Sequence, residues 1–248
     1  MADHSRHIGC SGWSIPKEFS AEFSTEGSHL QRYSRRLSCT EINSSFYRPH
    51  RQQTWERWAA SVPEGFRFSI KAPKAITHER LLACSPAELT TFLKQLKPLG
   101  KKLGPILFQL PPSLEFDATN AKNFLSLLRE LHAGEVAWEP RHQSWFEHPA
   151  EALLTHFEIA RVGADPAVVP AAAHPSGWEK LSYFRLHGAP RKYYSTYNSD
   201  FLRELAVQID HLRQCSSVWC IFDNTASGAA AGNALELSSL VQKSLCKP

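Results

Sequence analysis

Val136-Ala-Trp-Glu-Pro-Arg-His142 is a short apolar run that stops at a carboxylate and a guanidinium two residues apart. Side chains alternate along a strand, so Glu139 and Arg141 are expected on one side. A local ion pair would explain a single run of this kind. The ending recurs, however: Cys39-Thr-Glu-Ile-Asn43 carries Glu41 and Asn43, Phe66-Arg-Phe-Ser-Ile-Lys71 carries Lys71, and Ser182-Tyr-Phe-Arg-Leu-His187 carries Arg185 and His187. The ends of several strands are therefore expected to build one polar site.

Working outward, Ile8–Ser11 reads as a first strand, and Gly104–Gln109 as a fourth stopped by Pro111 and Pro112. Glu158–Val162, Lys180–Leu186 and Ser217–Phe222 supply strands six, seven and eight, with the sixth ending near Asp165. Helices are predicted between them over Glu26–Leu37, Thr54–Ala60, Asn120–His132, Pro149–Phe157, Ser199–Gln214 and Gly228–Leu245. The helix that passes through Phe92, Leu93 and Leu96 has the clearest start, because Ser85-Pro-Ala-Glu88 combines a capping serine, proline at the first helical position and glutamate three residues after the cap. Strand and helix alternate about eight times, the pattern of a parallel (β/α)8 TIM-type barrel, with room for irregularity. No Gly-x-Gly-x-x-Gly follows the first strand, which counts against an open dinucleotide-binding sheet.

The 248 residues carry no Gly/Ser-rich or Pro-rich linker, so 1–248 is read as a single domain. A hydrophobic content of 42% supports a sizeable core. No long apolar segment exists, and Met1–His7 is too polar for a signal peptide, so a cytoplasmic protein with no membrane association is expected. Six cysteines without a Cys-x-x-Cys pair are expected to be reduced thiols. A net charge of +4 permits an anionic ligand but does not favour nucleic acid as a partner.

Gly9-Cys-Ser-Gly-Trp13, Glu41-Ile-Asn-Ser-Ser-Phe-Tyr47, Lys71-Ala-Pro with Thr77-His-Glu79, Leu107-Phe-Gln-Leu-Pro-Pro112, Trp138-Glu-Pro-Arg-His142 with Ser144-Trp145, Arg185-Leu-His-Gly188 and Phe222-Asp-Asn224 together resemble the YecE-like family, also called the domain of unknown function 72 family. The resemblance runs along almost the whole chain. It implies a TIM-type barrel and no particular reaction. Pro140 and Asp223 depart from the residues more usual at their places in the pattern.

In a barrel, residues at the carboxyl ends of the strands face a common pocket. Two-residue alternation places Ser11, Glu41, Asn43, Lys71, Gln109, Glu139, Arg141, Asp165, Arg185, His187 and Asn224 there. Glu139 and Glu41 are candidates for proton transfer, with His187 assisting. Lys71 is a Schiff-base candidate in apolar surroundings, but beside Glu41 and Glu139 a protonated charge partner is the first expectation. Arg141 and Arg185 are suited to gripping a carboxylate or phosphate. Trp13, His78 and Tyr194 are expected to border the pocket, Tyr194 on the long loop after His187.

The leading reading is an enzyme that performs acid/base chemistry on a small-molecule polar or anionic ligand, with hydrolase, lyase and isomerase chemistry all open. One alternative is a metal-dependent phosphodiesterase or nuclease of the endonuclease IV type, with a divalent metal at Glu139, Asp165 and His187; the three cations oppose it, and no metal or other cofactor is expected. Another is a non-catalytic carbohydrate or nucleotide binding module. A purely structural ring of ion pairs is the bland alternative. Oligomeric state is not legible.

Overall fold

In the computed structural model, which describes residues 5–244, the strands are β1 (Arg6–Ser11), β2 (Cys39–Ile42), β3 (Arg67–Lys71), β4 (Leu103–Gln109), β5 (Val136–Glu139), β6 (Ala160–Arg161), β7 (Gly163–Asp165), β8 (Ser176–Gly177), β9 (Leu181–Leu186) and β10 (Ser217–Phe222). Their order is β7-β9-β10-β1-β2-β3-β4-β5-β6-β8, and every pair is parallel except β6 with β8. β6 and β7 are two halves of one strand. The first half pairs with β5 and the second with β9, and between them the Val162 N–H donates to the Trp138 carbonyl at 2.9 Å. Counting the halves once and leaving out the short antiparallel β8, the ten segments form the eight strands of a TIM-like barrel.

The sixth strand was expected to be continuous over Glu158–Val162 and is instead broken at Val162. Its neighbours explain the break. Arg161 is buried and tied to Glu151 at 2.8 Å and to the Ala171 carbonyl at 3.0 Å, while Gly163 lies so close to Pro175 that a Cβ would meet its ring at 2.7 Å.

The helices are α1 (His29–Ser34), α2 (Ser44–Tyr47), α3 (Gln52–Ala60), α4 (Pro86–Leu96), α5 (Ala118–Leu131), α6 (His148–His156), α7 (Ser199–Leu212) and α8 (Ala229–Ser244). α4 begins as its sequence predicts: the Ser85 side chain accepts from Glu88 N–H, and the Glu88 carboxylate accepts from Ser85 N–H at 2.8 Å. α1 starts at His29 rather than Glu26 because Ser28 and Gln31 form a second reciprocal cap there. α2 was not anticipated. The expected end of the last helix at Leu245, the sixth cysteine Cys246 and the first four residues lie outside the described residues.

Alternation sorts the apolar side chains into two shells. Ile8, Cys10, Ile42, Phe68, Ile70, Ile106, Phe108, Val136, Trp138, Phe184, Val218, Cys220 and Phe222 pack outward with the helices. Cys39, Leu107, Ala137, Ala160, Val162, Ala164, Leu181, Tyr183, Trp219 and Ile221 form a separate cluster inside the ring. Burying each large apolar side chain contributes roughly 1.5–3 kcal/mol. Two glycines make the interior possible: a Cβ at Gly104 would meet the Trp219 indole at 2.4 Å, and one at Gly9 the Cys39 carbonyl oxygen at 2.0 Å. The apolar inner layer thus supports a polar layer at the carboxyl ends of the strands.

Candidate active site

Arg185, one residue before the end of β9 and 1% exposed, is the hub of that polar layer. Its Nε donates to Glu41 at 3.0 and 3.1 Å, its Nη2 to Glu41 at 2.8 Å, and its Nη1 to Glu139 at 3.3 Å; Asp223 lies 3.0 Å from Nη2. Glu41 also accepts from the Tyr183 hydroxyl at 2.9 Å. Burial alone would favour loss of the guanidinium proton, but Asp223, Glu41 and Glu139 outweigh it and hold Arg185 firmly charged.

Glu139, at the end of β5, is fully buried and accepts from Gln109 at 2.9 Å as well as from Arg185. Arg141 pairs with its other oxygen, so the shared direction expected from the sequence holds across Pro140. His187 bridges two carboxylates, with Nε2 2.9 Å from Glu139 and Nδ1 3.0 Å from Asp223, and Arg141 Nη2 lies 2.6 Å from the same Nε2. Burial pushes the Glu139 carboxyl up, but Arg141, Arg185 and His187 prevail and hold it well below the usual carboxylate range. Burial likewise opposes ionisation of Asp223, and Arg185 and His187, helped by the Ser11 hydroxyl, hold it at about 2.

Both carboxyls are more acidic folded than unfolded, so their stabilisation is present above the ordinary carboxylate range and is lost as the pH falls below it, for Asp223 towards about 2. Urea unfolding between about pH 5 and pH 2 is expected to show a loss of ~2 kcal/mol from Asp223 alone, and Asp223→Asn to flatten that slope.

Lys71, the last residue of β3, behaves differently. It is 8% exposed, and its ammonium lies over the Phe46 ring, 4.2 Å from the centroid. Among the described residues no carboxylate oxygen comes within 4.0 Å of its Nζ, because those of Glu41 and Glu139 are held by Arg185, Arg141 and His187. The charge partner expected from the sequence is therefore not made. Burial and Arg185 push the amine down to about 8, against the opposing pull of Glu41, Glu139 and Asp223. His78 packs edge-on against the same Phe46 ring, with centroids 5.0 Å apart, and its Nδ1 lies 2.8 Å from the Thr77 hydroxyl.

Ser11, Glu41, Lys71, Gln109, Glu139, Arg141, Arg185 and His187 thus come together, and Asn43 joins them through a hydrogen bond to Ser11. Asp165, Asn224 and Tyr194 do not. Asp165 accepts from the Tyr197 hydroxyl at 2.6 Å, and the inward position on that strand belongs to Ala164. Asn224 donates to the Ser195 carbonyl and to Asn233, both at 2.9 Å, tying the loop after β9 to α8. Its neighbour Asp223 has the inward parity of Trp219 and Ile221 and supplies the third carboxylate. Tyr194 is exposed beneath Arg191, whereas Tyr193 faces His187 edge-on with ring centroids 5.8 Å apart. Lys192 also reaches the field of the site: its amine is lowered by burial and Arg141.

Trp13 stands at the rim, edge-on to Trp58, and lines a cavity of about 450 Å³ with Ser11, Asn43, Asp223 and Thr225. A more apolar depression of about 510 Å³ lies between α2 and α4, and it meets the charged cluster at Lys71, through the Phe46 ring and through the Ser45 hydroxyl, which donates to the Lys71 carbonyl at 2.7 Å. Among the described residues five cysteines are free, and burial pushes the thiols of Cys10, Cys39 and Cys220 up, so these three offer no thiolate near neutrality. Among the described residues no three His, Cys, Asp or Glu side chains are disposed to hold a metal ion, and the Asp165 carboxylate is engaged by the Tyr197 hydroxyl. No helix of the described residues is long and apolar enough to cross a membrane.

Ring and site together define a parallel barrel protein with a charged mouth at the carboxyl ends of its strands. Residues 7–247 match the family described as "Protein of unknown function DUF72", and the chain belongs to that family. It is 26% identical to UPF0759 protein YunF of Bacillus subtilis over 95% of this chain and 94% of that protein. UPF0759 protein YecE of Escherichia coli is 30% identical over 42% of this chain and 37% of its own length. Crystal structures of DUF72 family proteins from Thermotoga maritima (TM-score 0.79, 24% identity, 96% of this chain and 100% of that one) and Enterococcus faecalis (TM-score 0.76, 25% identity, 99% of each) share the fold.

Proposed function

We propose that the protein is an enzyme that binds a small anionic substrate at the barrel mouth and moves protons there through Lys71. The observation that carries this reading is the division of charge. Glu41, Glu139 and Asp223 are committed to Arg185, Arg141 and His187, whereas Lys71 is buried without a carboxylate against it among the described residues. A buried cation in that state is stabilised by a ligand that brings negative charge.

Glu139 is too strongly acidic to deliver a proton near neutrality and acts as the brace that aims Arg141 and His187. Lys71, at about 8, is divided between donor and acceptor forms within reach of neutral pH. Arg141 and Lys192 supply positive charge for a carboxylate or phosphate. A divalent ion seated on Glu139 would have to displace the guanidinium and imidazole groups already there.

Arg141→Ala is expected to weaken the binding of malonate or inorganic phosphate by about tenfold or more, the value of one charged hydrogen-bonding group. Isothermal titration of the parent protein and the variant measures it. Unchanged affinity would contradict an anion site at this mouth.

A further inference from the structure

Lys71 is a primary amine at a strand end, with an aromatic face against it and no carboxylate within 4.0 Å among the described residues. Arg185, Glu41, Glu139 and Asp223 lie around it inside the barrel, and His78 packs on Phe46. This geometry suits addition to a carbonyl better than permanent service as a cation. An amine braced by a direct ion pair would keep its proton and its lone pair would be unavailable, whereas the nearby but committed carboxylates favour the positive charge of an iminium once it forms.

We propose that Lys71 forms an imine with the carbonyl carbon of a small anionic aldehyde or keto acid, an inference that rests on the proton-transfer reading of the same site. The Lys71 nitrogen lone pair adds to the carbonyl carbon, the C=O π electrons move to oxygen, and that oxygen takes the proton the nitrogen loses. The carbinolamine hydroxyl then takes one further proton from solvent and leaves as water while the nitrogen lone pair closes the C=N bond. Arg141 and Lys192 hold the substrate's carboxylate or phosphate, and Tyr193 covers the His187 side of the mouth.

The test treats the whole chain near pH 8 with glyoxylate and sodium cyanoborohydride, and in parallel with neutral acetaldehyde, followed by peptide mapping. Lys71 is expected to gain the mass of glyoxylate less one oxygen about tenfold faster than exposed lysines, and faster than it takes acetaldehyde. Lys71→Arg should lose this label while the other lysines react as before. Titration calorimetry on the same samples separates the two claims. Lys71 left unmodified with glyoxylate bound would overturn the imine and leave the anion site standing, and Lys71 unmodified with no glyoxylate bound would overturn both. Equal labelling of Lys71 by the two probes would support the imine and count against the anion site.

Discussion

Arg185→Met is expected to lower the unfolding free energy by about 3–5 kcal/mol at neutral pH, the cost of leaving buried charges without their partner. Three carboxylates depend on this guanidinium: Glu41 and Glu139, both 0% exposed, and Asp223 at 6%. Methionine fills the same space without charge, so the loss reports electrostatics rather than a cavity. The pH dependence should also change. In the parent protein Glu139 and Asp223 are more acidic folded than unfolded, so stability rises as the pH climbs towards about 4 and their contribution is constant above it. In the variant Glu139 keeps Arg141 and His187, and Asp223 keeps His187, but Glu41 is left buried against the Tyr183 hydroxyl with no cation among the described residues in contact; it becomes less acidic folded than unfolded, so stability falls between about pH 4 and pH 7. Adding Glu41→Gln removes the abandoned charge and should recover part of the loss. Urea unfolding of the single and double variants across this pH range measures both effects, and a drop that is the same at every pH would show that the network is not what Arg185 holds together.

Lys71→Met is expected to do the opposite, stabilising the fold by roughly 2–3 kcal/mol near pH 7 while abolishing whatever chemistry the mouth performs. Folding lowers the Lys71 amine from 10.5 to about 8, chiefly through burial. Between those values the unfolded chain binds more protons than the folded one, so the parent protein gains stability as the pH rises through the window, and below it the full cost of burying the ammonium is borne. The variant has no such cost and should show no such rise. A residue that the fold would be more stable without is one retained for a task.

Much of this arrangement is legible in the strand ends. Glu41, Lys71, Gln109, Glu139 and Arg185 each close an apolar run whose parity is unambiguous, and the structure brings them together. Parity failed where both faces of a strand are apolar. In Ser217-Val-Trp-Cys-Ile-Phe222 every residue after the first is buried, so nothing in the run distinguishes Asp223 from Asn224, and only the inner shell of Trp219 and Ile221 reveals which one faces inward. The sixth strand misled for a different reason: its break at Val162 comes from Arg161, Gly163 and Pro175, residues that meet only in the folded chain. Tyr193 could not be preferred to Tyr194 because its backbone has a positive φ of 70°, a local turn that reverses which of two adjacent tyrosines meets His187. For Lys71, a place at the same barrel mouth as Glu41 and Glu139 suggested carboxylate partners, and competition from Arg185 removed them.

The most direct measurement is the titration of Lys71 followed by nuclear magnetic resonance of lysine-labelled protein, with its signal assigned through Lys71→Arg. A midpoint near 8, set apart from the other lysines, is the result expected of an amine buried at the mouth without an ion-pair partner. A midpoint at or above 10.5 would mean that Lys71 is a paired, permanently charged cation, and the proton-transfer and imine chemistry assigned to it would be lost together.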